Sequence, residues 1–460
     1  MTTLTRRRLL QSAGVVAGAS AMPIVFRGSA AYADVDPAAA LRKRLVVIFL
    51  GGGNDGLNTV VPRGNVTGGA RRDVYDAVRP AVNIPLAEVL PFDKTSNDDA
   101  HQVGLNNRLA YLYSLYQADR LAVVQGVSYP GNSFSHFTSL DWYQSGTPGD
   151  SPDSGWLGRH LDRVGVADGE LRGVAIGRDL PLLLQGKESA GRLNSAVAIE
   201  SIQGVSFADG GDGNPELSSR HNTYATYKNY PTLEQLGHFY GVRCSEARTL
   251  VTQMATVPPP AGTASWLANQ LLTARSLLSS NFGVETVFLQ HYGGYDTHTN
   301  QNAAHPGLMT ELDQGIEAFF NGTRGGVPTG NGPIDPALAA RTTIMVFSEF
   351  GRTHGDNGAG TDHGIAGPLF VIGPPQPAAG SGLTRLVPGL HGDHPNMGTT
   401  ALPADNLVMT TDVRGVYQAV VTKWINDPTG ARPDPGDPAF RLSGPSLDAD
   451  GSLAGLFAPA

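Results

Sequence analysis

The sequence predicts an α/β protein built on a central, mostly parallel sheet flanked by helices, and three observations carry that reading. First, Leu45 to Leu50 is an apolar run rich in β-branched residues that enters the cluster Gly51 to Gly53 and then Asn54, Asp55 and Asn58. A buried parallel strand ending in a polar loop has this form. Second, a strand, a helix and a strand follow one another between residues 45 and 127, the order of a βαβ unit. Third, several later strands also end in glycine with aspartate or histidine, and in open α/β sheets chemistry collects at the carboxyl edge.

Each element has its own signal. After the opening strand, Leu105, Leu109, Leu112, Leu115 and Tyr116 recur at helical spacing, which predicts an amphipathic helix from Gly104 to Asp119. Leu121 to Val127 reads as the second buried strand. Pro130 and Gly131 stop it, and Ser133 or Ser135 then caps a helix through Leu140, Trp142 and Tyr143. The backbone N–H groups at that terminus would suit an anion.

From about 145 to 260 the pattern is irregular. Short apolar runs at 173–176, 182–184 and 197–199 suggest strands, and a glycine-rich loop spans Gly204 to Pro215, so the region reads as an insertion or cap over the sheet edge. A helix from Ala264 to Ser280 leads to a strong strand, Glu285 to Leu289. Leu308, Leu312, Ile316 and Phe319 mark the next helix. Strands at Thr342 to Phe347 and Pro368 to Ile372 follow. The last helix, Thr411 to Ile425, carries a core stripe of Val413, Val416, Tyr417, Val420 and Trp424.

Composition narrows the class. The chain has 460 residues, 16% charged and 40% hydrophobic, which is an ordinary globular balance able to bury a large core. Its 58 glycines and 32 prolines predict long loops, where function is sought. The start reads as an address: Arg6, Arg7 and Arg8 form a twin-arginine pattern, an apolar segment runs to Phe26, and Ala31-Tyr32-Ala33 is a small-residue cleavage site. The expected organisation is a signal peptide at 1–33 and one domain at 34–460, exported by the twin-arginine machinery to the periplasm or the outside and soluble after cleavage. The formal charge is −8, and losing the leader's arginines makes the mature chain more acidic still. That excludes nucleic acid as a favoured partner. Cys244 is the only cysteine, so no internal disulfide can form.

The candidate site residues are Asp55, then Asp296 and His298, then Asp362 and His363, with His391 and His394 beyond. A single Asp-His pair is usually a turn or a cap, whereas recurrence at successive strand ends points to a divalent metal. A mixed carboxylate and imidazole set suits zinc or manganese, with calcium as a further candidate. Two such sites about 4 Å apart would form a two-metal centre.

LVVIFLGGGNDGLNTVVP (45–62), SFSHF (133–137), GGYDTH (293–298), SEFGRT (348–353), TDHG (361–364) and VMTTDVRGVYQAVVTKW (408–424) together resemble the bacterial domain-of-unknown-function 1501 family. The resemblance covers nearly the whole mature chain. It implies an alkaline phosphatase-like or sulfatase-like fold with a metal centre at the carboxyl edge of the sheet. Carried over to this chain, it implies Asp55, with Asn58 as rival, at the end of the first strand and Ser135 or Ser133 as nucleophile. Asp296, His298, Asp362 and His363 serve as ligands, and His394 or His391 as the final histidine. Cys244 does not lie at the nucleophile position, which disfavours the modified-cysteine sulfatase chemistry.

The activity so implied is hydrolysis of phosphate or sulfate esters by a serine activated at a one- or two-metal centre. Arg352 would clamp the ester oxygens or, alternatively, pair with Glu349. The competing expectation is a binding or assembly protein that retains the fold and acts on a surface glycan or with another exported protein. An oxidoreductase is disfavoured because GGGNDG lacks the G-x-G-x-x-G spacing.

Overall fold

The computed structural model describes residues 42–147, 152–164, 172–186, 196–199, 260–263, 265–280, 283–291, 294–377, 381, 383–398, 406–425 and 453–459. The signal segment 1–33, most of the expected insertion at 145–260 and Cys244 lie outside them.

The sheet strands are β1 (Arg44–Leu50), β2 (Leu121–Ser128), β3 (Gly173–Ile176), β4 (Ala196–Ile199), β5 (Thr286–His291), β6 (Thr342–Phe347), β7 (Gly367–Ile372), β8 (Gly389–His391) and β9 (Thr411–Asp412). Their spatial order is β8-β2-β7-β6-β1-β5-β3-β4, with β9 also pairing with β2. Every pairing is parallel except those of β7, which runs antiparallel to both β6 and β2. The chain is therefore an α/β protein with a central, mostly parallel sheet.

Side-chain alternation in β1 explains the layers. Val46, Ile48 and Leu50 belong to one core and Leu45, Val47 and Phe49 to the other, and none is more than 2% exposed. Burying each such side chain contributes roughly 1.5–3 kcal/mol, so β1 is held by packing on both faces. On the first face lie α1 (Ala110–Gln117), α4 (Trp266–Ser279) and α5 (Gln301–Asn321). The second face is covered by α2 (His136–Ser145), α3 (Trp156–Val164) and α6 (Val413–Ala419). The predicted stripe on α6 is core, as Val413, Val416, Tyr417, Val420 and Trp424 are each at most 1% exposed.

Local structure differs from expectation in three places. The helix expected from Gly104 begins only at Ala110, because Val103–Asn106 is a strand between Val60–Pro62 and Val89–Pro91. Gly104 suits that central position, since a Cβ there would stand 2.3 Å from the Leu90 carbonyl oxygen. Leu182–Leu184, expected as a strand, is one 3₁₀ turn. The last helix starts two residues late, after β9, and ends in a π-helical turn over Val420–Trp424. Among the described residues no helix is long and apolar enough to cross a membrane.

Candidate metal centre

Strand register delivers the loops to one place. Leu50 of β1 lies beside His291 of β5, and Phe49 lies beside Phe347 of β6, so the three strands end level. Gly367, which opens β7, lies beside Val127 near the end of β2. Because β7 is antiparallel, the loop before it, carrying Asp362 and His363, arrives at the same carboxyl edge. Backbone bonds from Thr353 N to Asp362 O (3.0 Å) and from Gly364 N to Gly351 O (2.8 Å) close that loop. The glycine cluster makes room. Gly52 and Gly53 have φ of +124° and +78°, and a Cβ on Gly52 would lie 2.5 Å from the Asp296 nitrogen.

Three imidazoles converge on the Asp296 carboxylate. His363 Nε2 lies 3.0 Å and His298 Nε2 3.1 Å from Asp296 Oδ1, and His136 Nε2 lies 3.5 Å from Oδ2. Each ring is oriented from behind by its other nitrogen. His136 Nδ1 donates to Glu349 Oε1 (2.8 Å), His298 Nδ1 to Asp362 Oδ1 (2.7 Å) and His363 Nδ1 to the Phe134 carbonyl (2.8 Å). Those acceptors carry no proton to give, so each Nδ1 holds the hydrogen and each Nε2 is the atom turned inward, able to offer a lone pair to a cation in the neutral ring.

The consequence is an acceptor-rich focus. His298 Nε2 and His363 Nε2 stand 3.0 Å apart, and both face a carboxylate oxygen. Two lone pairs at that distance repel unless a proton or a cation lies among them. Nitrogens bound to one tetrahedral zinc at about 2.0–2.1 Å would sit about 3.3 Å apart, close to what is found. His136, Asp296 and His363 each offer one ligand atom, all within 4.8 Å of one another. The donor set therefore fits a divalent ion.

Electrostatics favour the same focus. Partial burial would raise the Asp296 carboxyl, but bonds from Arg352 and His363 outweigh it and hold the group down at about 2. The bond to Glu349 raises His136 above the ordinary imidazole value. His298 bonding lowers Asp362.

Of the residues read from the sequence, Asp296, His298, Asp362 and His363 come together, with Asp362 behind His298 as its orienting partner. Asp55 does not join them. It is fully buried, receives Arg79 Nη1 at 2.8 and 2.7 Å and Gln301 Nε2 at 2.5 Å, and caps the short helix Gly56–Thr59. Its rival Asn58 is bound by Arg79 and Tyr75. His394 is also apart, donating from Nδ1 to the Pro395 carbonyl and facing a small cavity with Leu57, Val60 and Pro368. His391 donates to the Val387 carbonyl in β8.

Arg352 cannot clamp a substrate as expected. It is buried, and Nε donates to Gly53 O (2.6 Å), Nη1 to Thr361 O (2.9 Å) and Nη2 to Asp296 Oδ1 (2.7 Å), Tyr295 O (2.9 Å) and Gly52 O. Its ion pair is with Asp296, and Glu349 pairs instead with His136. The guanidinium is a staple that fixes the glycine loop to Asp296.

Ser135 is the exposed N-cap of α2 and makes no side-chain capping bond, whereas Ser133 Oγ accepts the Ser135 N–H at 3.1 Å. Two contributors, His136 and Glu349, were not among the residues expected to hold metal. Both stand in recognised motifs, SFSHF and SEFGRT. The available signal was a histidine opening the helix that follows β2.

Comparison with known proteins adds the following. The model of the family described as Protein of unknown function (DUF1501) matches residues 125–373, more than half the chain and all of the cluster. None of the curated proteins matches. Among solved structures, the PH0037 protein from Pyrococcus horikoshii is 11% identical, with 72% of this chain and 86% of that chain covered and a TM-score of 0.27. The lipoteichoic acid synthase LtaP from Listeria monocytogenes is 8% identical, with 83% and 78% covered and a TM-score of 0.31. By the extent of the family match, the chain belongs to the DUF1501 family of proteins of unknown function.

Proposed function

We propose that the chain is an exported, metal-dependent hydrolase of phosphate or sulfate esters with an alkaline phosphatase-like fold. The observation that supports this reading is the inward turn of three Nε2 atoms onto Asp296, each ring tied at Nδ1 to Glu349, Asp362 or the Phe134 carbonyl. His136, His298, His363 and Asp296 would hold the ion, and such a nitrogen-rich set suits zinc or manganese better than calcium. A bound divalent ion would supply Lewis acidity and lower the pKa of a coordinated hydroxyl. Ser135 is the preferred nucleophile, because its hydroxyl is not spent on the cap and it directly precedes His136. The uncapped N–H groups that open α2 would meet the anionic ester head.

Metal analysis of the purified protein, together with assays on aryl phosphate and aryl sulfate esters before and after chelation, tests the reading. Bound metal and chelator-sensitive turnover are expected. No bound metal, with stability unchanged by chelation, would sink it. A second reading, a binding protein without turnover, is favoured by one observation: Arg352 is saturated and leaves no guanidinium for a transferring group. Metal present with neither ester hydrolysed would select it.

A further inference from the structure

Phe134 is 46% exposed and Phe137 is 83% exposed, while every other described phenylalanine is at most 4% exposed. The two exposed rings flank His136 in sequence. Phe134 also supplies the carbonyl that orients His363, so its backbone is fixed against the cluster. Behind them the buried Phe350 ring lies 4.9 Å from the His136 ring and 4.5 Å from the His363 ring, centroid to centroid. A buried aromatic ring thus packs against the imidazoles, and two exposed aromatic rings adjoin His136 in the chain. A phenylalanine left in water forgoes the burial that the other described phenylalanines have.

The charge of the same rim says what would cover these rings. Exposed Asp296 and Asp362 stand at the opening. The loops at 51–55, 129–135, 294–300 and 348–366 contain no lysine, and Arg352, their one arginine, is buried and saturated. A polyanionic ligand would meet carboxylates with no side-chain cation from these loops to answer it. A single anionic head at the cluster, joined to an uncharged ring or alkyl body, matches both halves of the surface.

We infer that the rim formed by Phe134 and Phe137 selects esters with a single anionic head whose alcohol part is an uncharged aromatic or alkyl group. The inference rests on the reading of the cluster as a metal centre. Stacking on one or two exposed rings is worth up to about tenfold in affinity. The test is calorimetric titration of the zinc-loaded full chain with phenylphosphonate and with methylphosphonate, which share a head and differ in the body.

Phenylphosphonate is expected to bind about tenfold more tightly. That ratio should fall below about twofold in the double variant Phe134→Ala/Phe137→Ala and persist in Val327→Ala, which truncates an exposed side chain elsewhere. Equal affinities in the unmodified protein, a ratio retained in the double variant, or binding of neither phosphonate would overturn the inference. The hydrolase reading fails separately. A ring preference in a protein that turns over no ester leaves this inference standing, and turnover without a ring preference does the reverse.

Discussion

Two carboxylate networks sit at the same edge of the sheet and have opposite characters. Around Asp55, just past β1, the carboxylate is fully buried and already neutralised by Arg79, with Gln301 as a further donor and His305 beyond at Asn54. Around Asp296, past β5, the carboxylate is exposed and ringed by three imidazoles whose Nε2 atoms point at it. Each carboxylate meets a guanidinium, Arg79 at Asp55 and Arg352 at Asp296 Oδ1, but only Asp296 is open to solvent and faced by three imidazole nitrogens. Aspartate and histidine at a strand end are thus not enough to mark a metal site; what matters is whether the carboxylate is sealed among donors, as Asp55 is, or open beside several imidazoles, as Asp296 is.

The most severe way to break this comparison is to remove the guanidinium at Asp55. Arg79→Ala leaves Asp55 buried and unpaired, and also strips the bonds that Arg79 donates to the Thr353 and His354 carbonyls. Losing one partner of a buried pair costs about 3–5 kcal/mol. Denaturant unfolding should show that loss. A change below about 1 kcal/mol would mean that the pair is no more than a surface one in energy.

Acid separates the two networks next. Burial lowers His305 to about 4, so the fold keeps the ring neutral while the unfolded chain, near 6.5, takes up a proton earlier. The folded pKa is the depressed one. Its stability contribution is therefore complete above about 6.5 and is lost as pH falls towards about 4, by about 3 kcal/mol. His305→Gln should flatten the stability profile in that window, and an unchanged profile would remove His305 as the cause. Within the cluster, His136 is shifted the other way by Glu349.

The third effect is on ion binding. His363→Ala deletes an inner nitrogen and should lower zinc affinity by more than about 100-fold, beyond the usual cost of losing an outer partner. Competition with a chromophoric chelator reads it. Because His363 is only half-buried, its ring resting on Phe350, unfolding of the metal-free protein should move by about 1 kcal/mol at most.

Periodicity made the sheet and most helices legible: β1, β2, β5, β6 and β7 are apolar runs, and the stripes on α5 and α6 are buried as their spacing implied. Partner choice was not legible. Asp55 and Asp296 have similar local contexts, Gly-Asn-Asp and Gly-Tyr-Asp, and tertiary approach distinguishes them: Arg79 and Gln301 enclose one, while Arg352 and three imidazoles meet the other. Arg352 and Glu349, three residues apart, invited pairing with each other. Instead, burial sends Arg352 to the glycine loop and Asp296, and Glu349 to His136. His136 hid behind its serines, since a serine before a helix has a sufficient explanation as a cap.

Glu349→Gln is the mildest change and separates orientation from folding. Glu349 Oε1 accepts from His136 Nδ1 and from the Gly52 N–H, both at 2.8 Å, and Oε2 accepts from Ser348 Oγ at 2.9 Å. Glutamine keeps the shape and one acceptor oxygen but loses the charge that makes His136 a stronger base. Outer partners of this kind are worth 10–100-fold in metal affinity, so zinc binding should weaken by about that factor. Stability of the metal-free protein should change by only about 1 kcal/mol, the worth of one hydrogen bond. If instead the variant unfolds readily while zinc affinity per folded molecule stays the same, Glu349 is a tie for the glycine loop. The open cluster would then resemble the Asp55 network more closely than its geometry indicates.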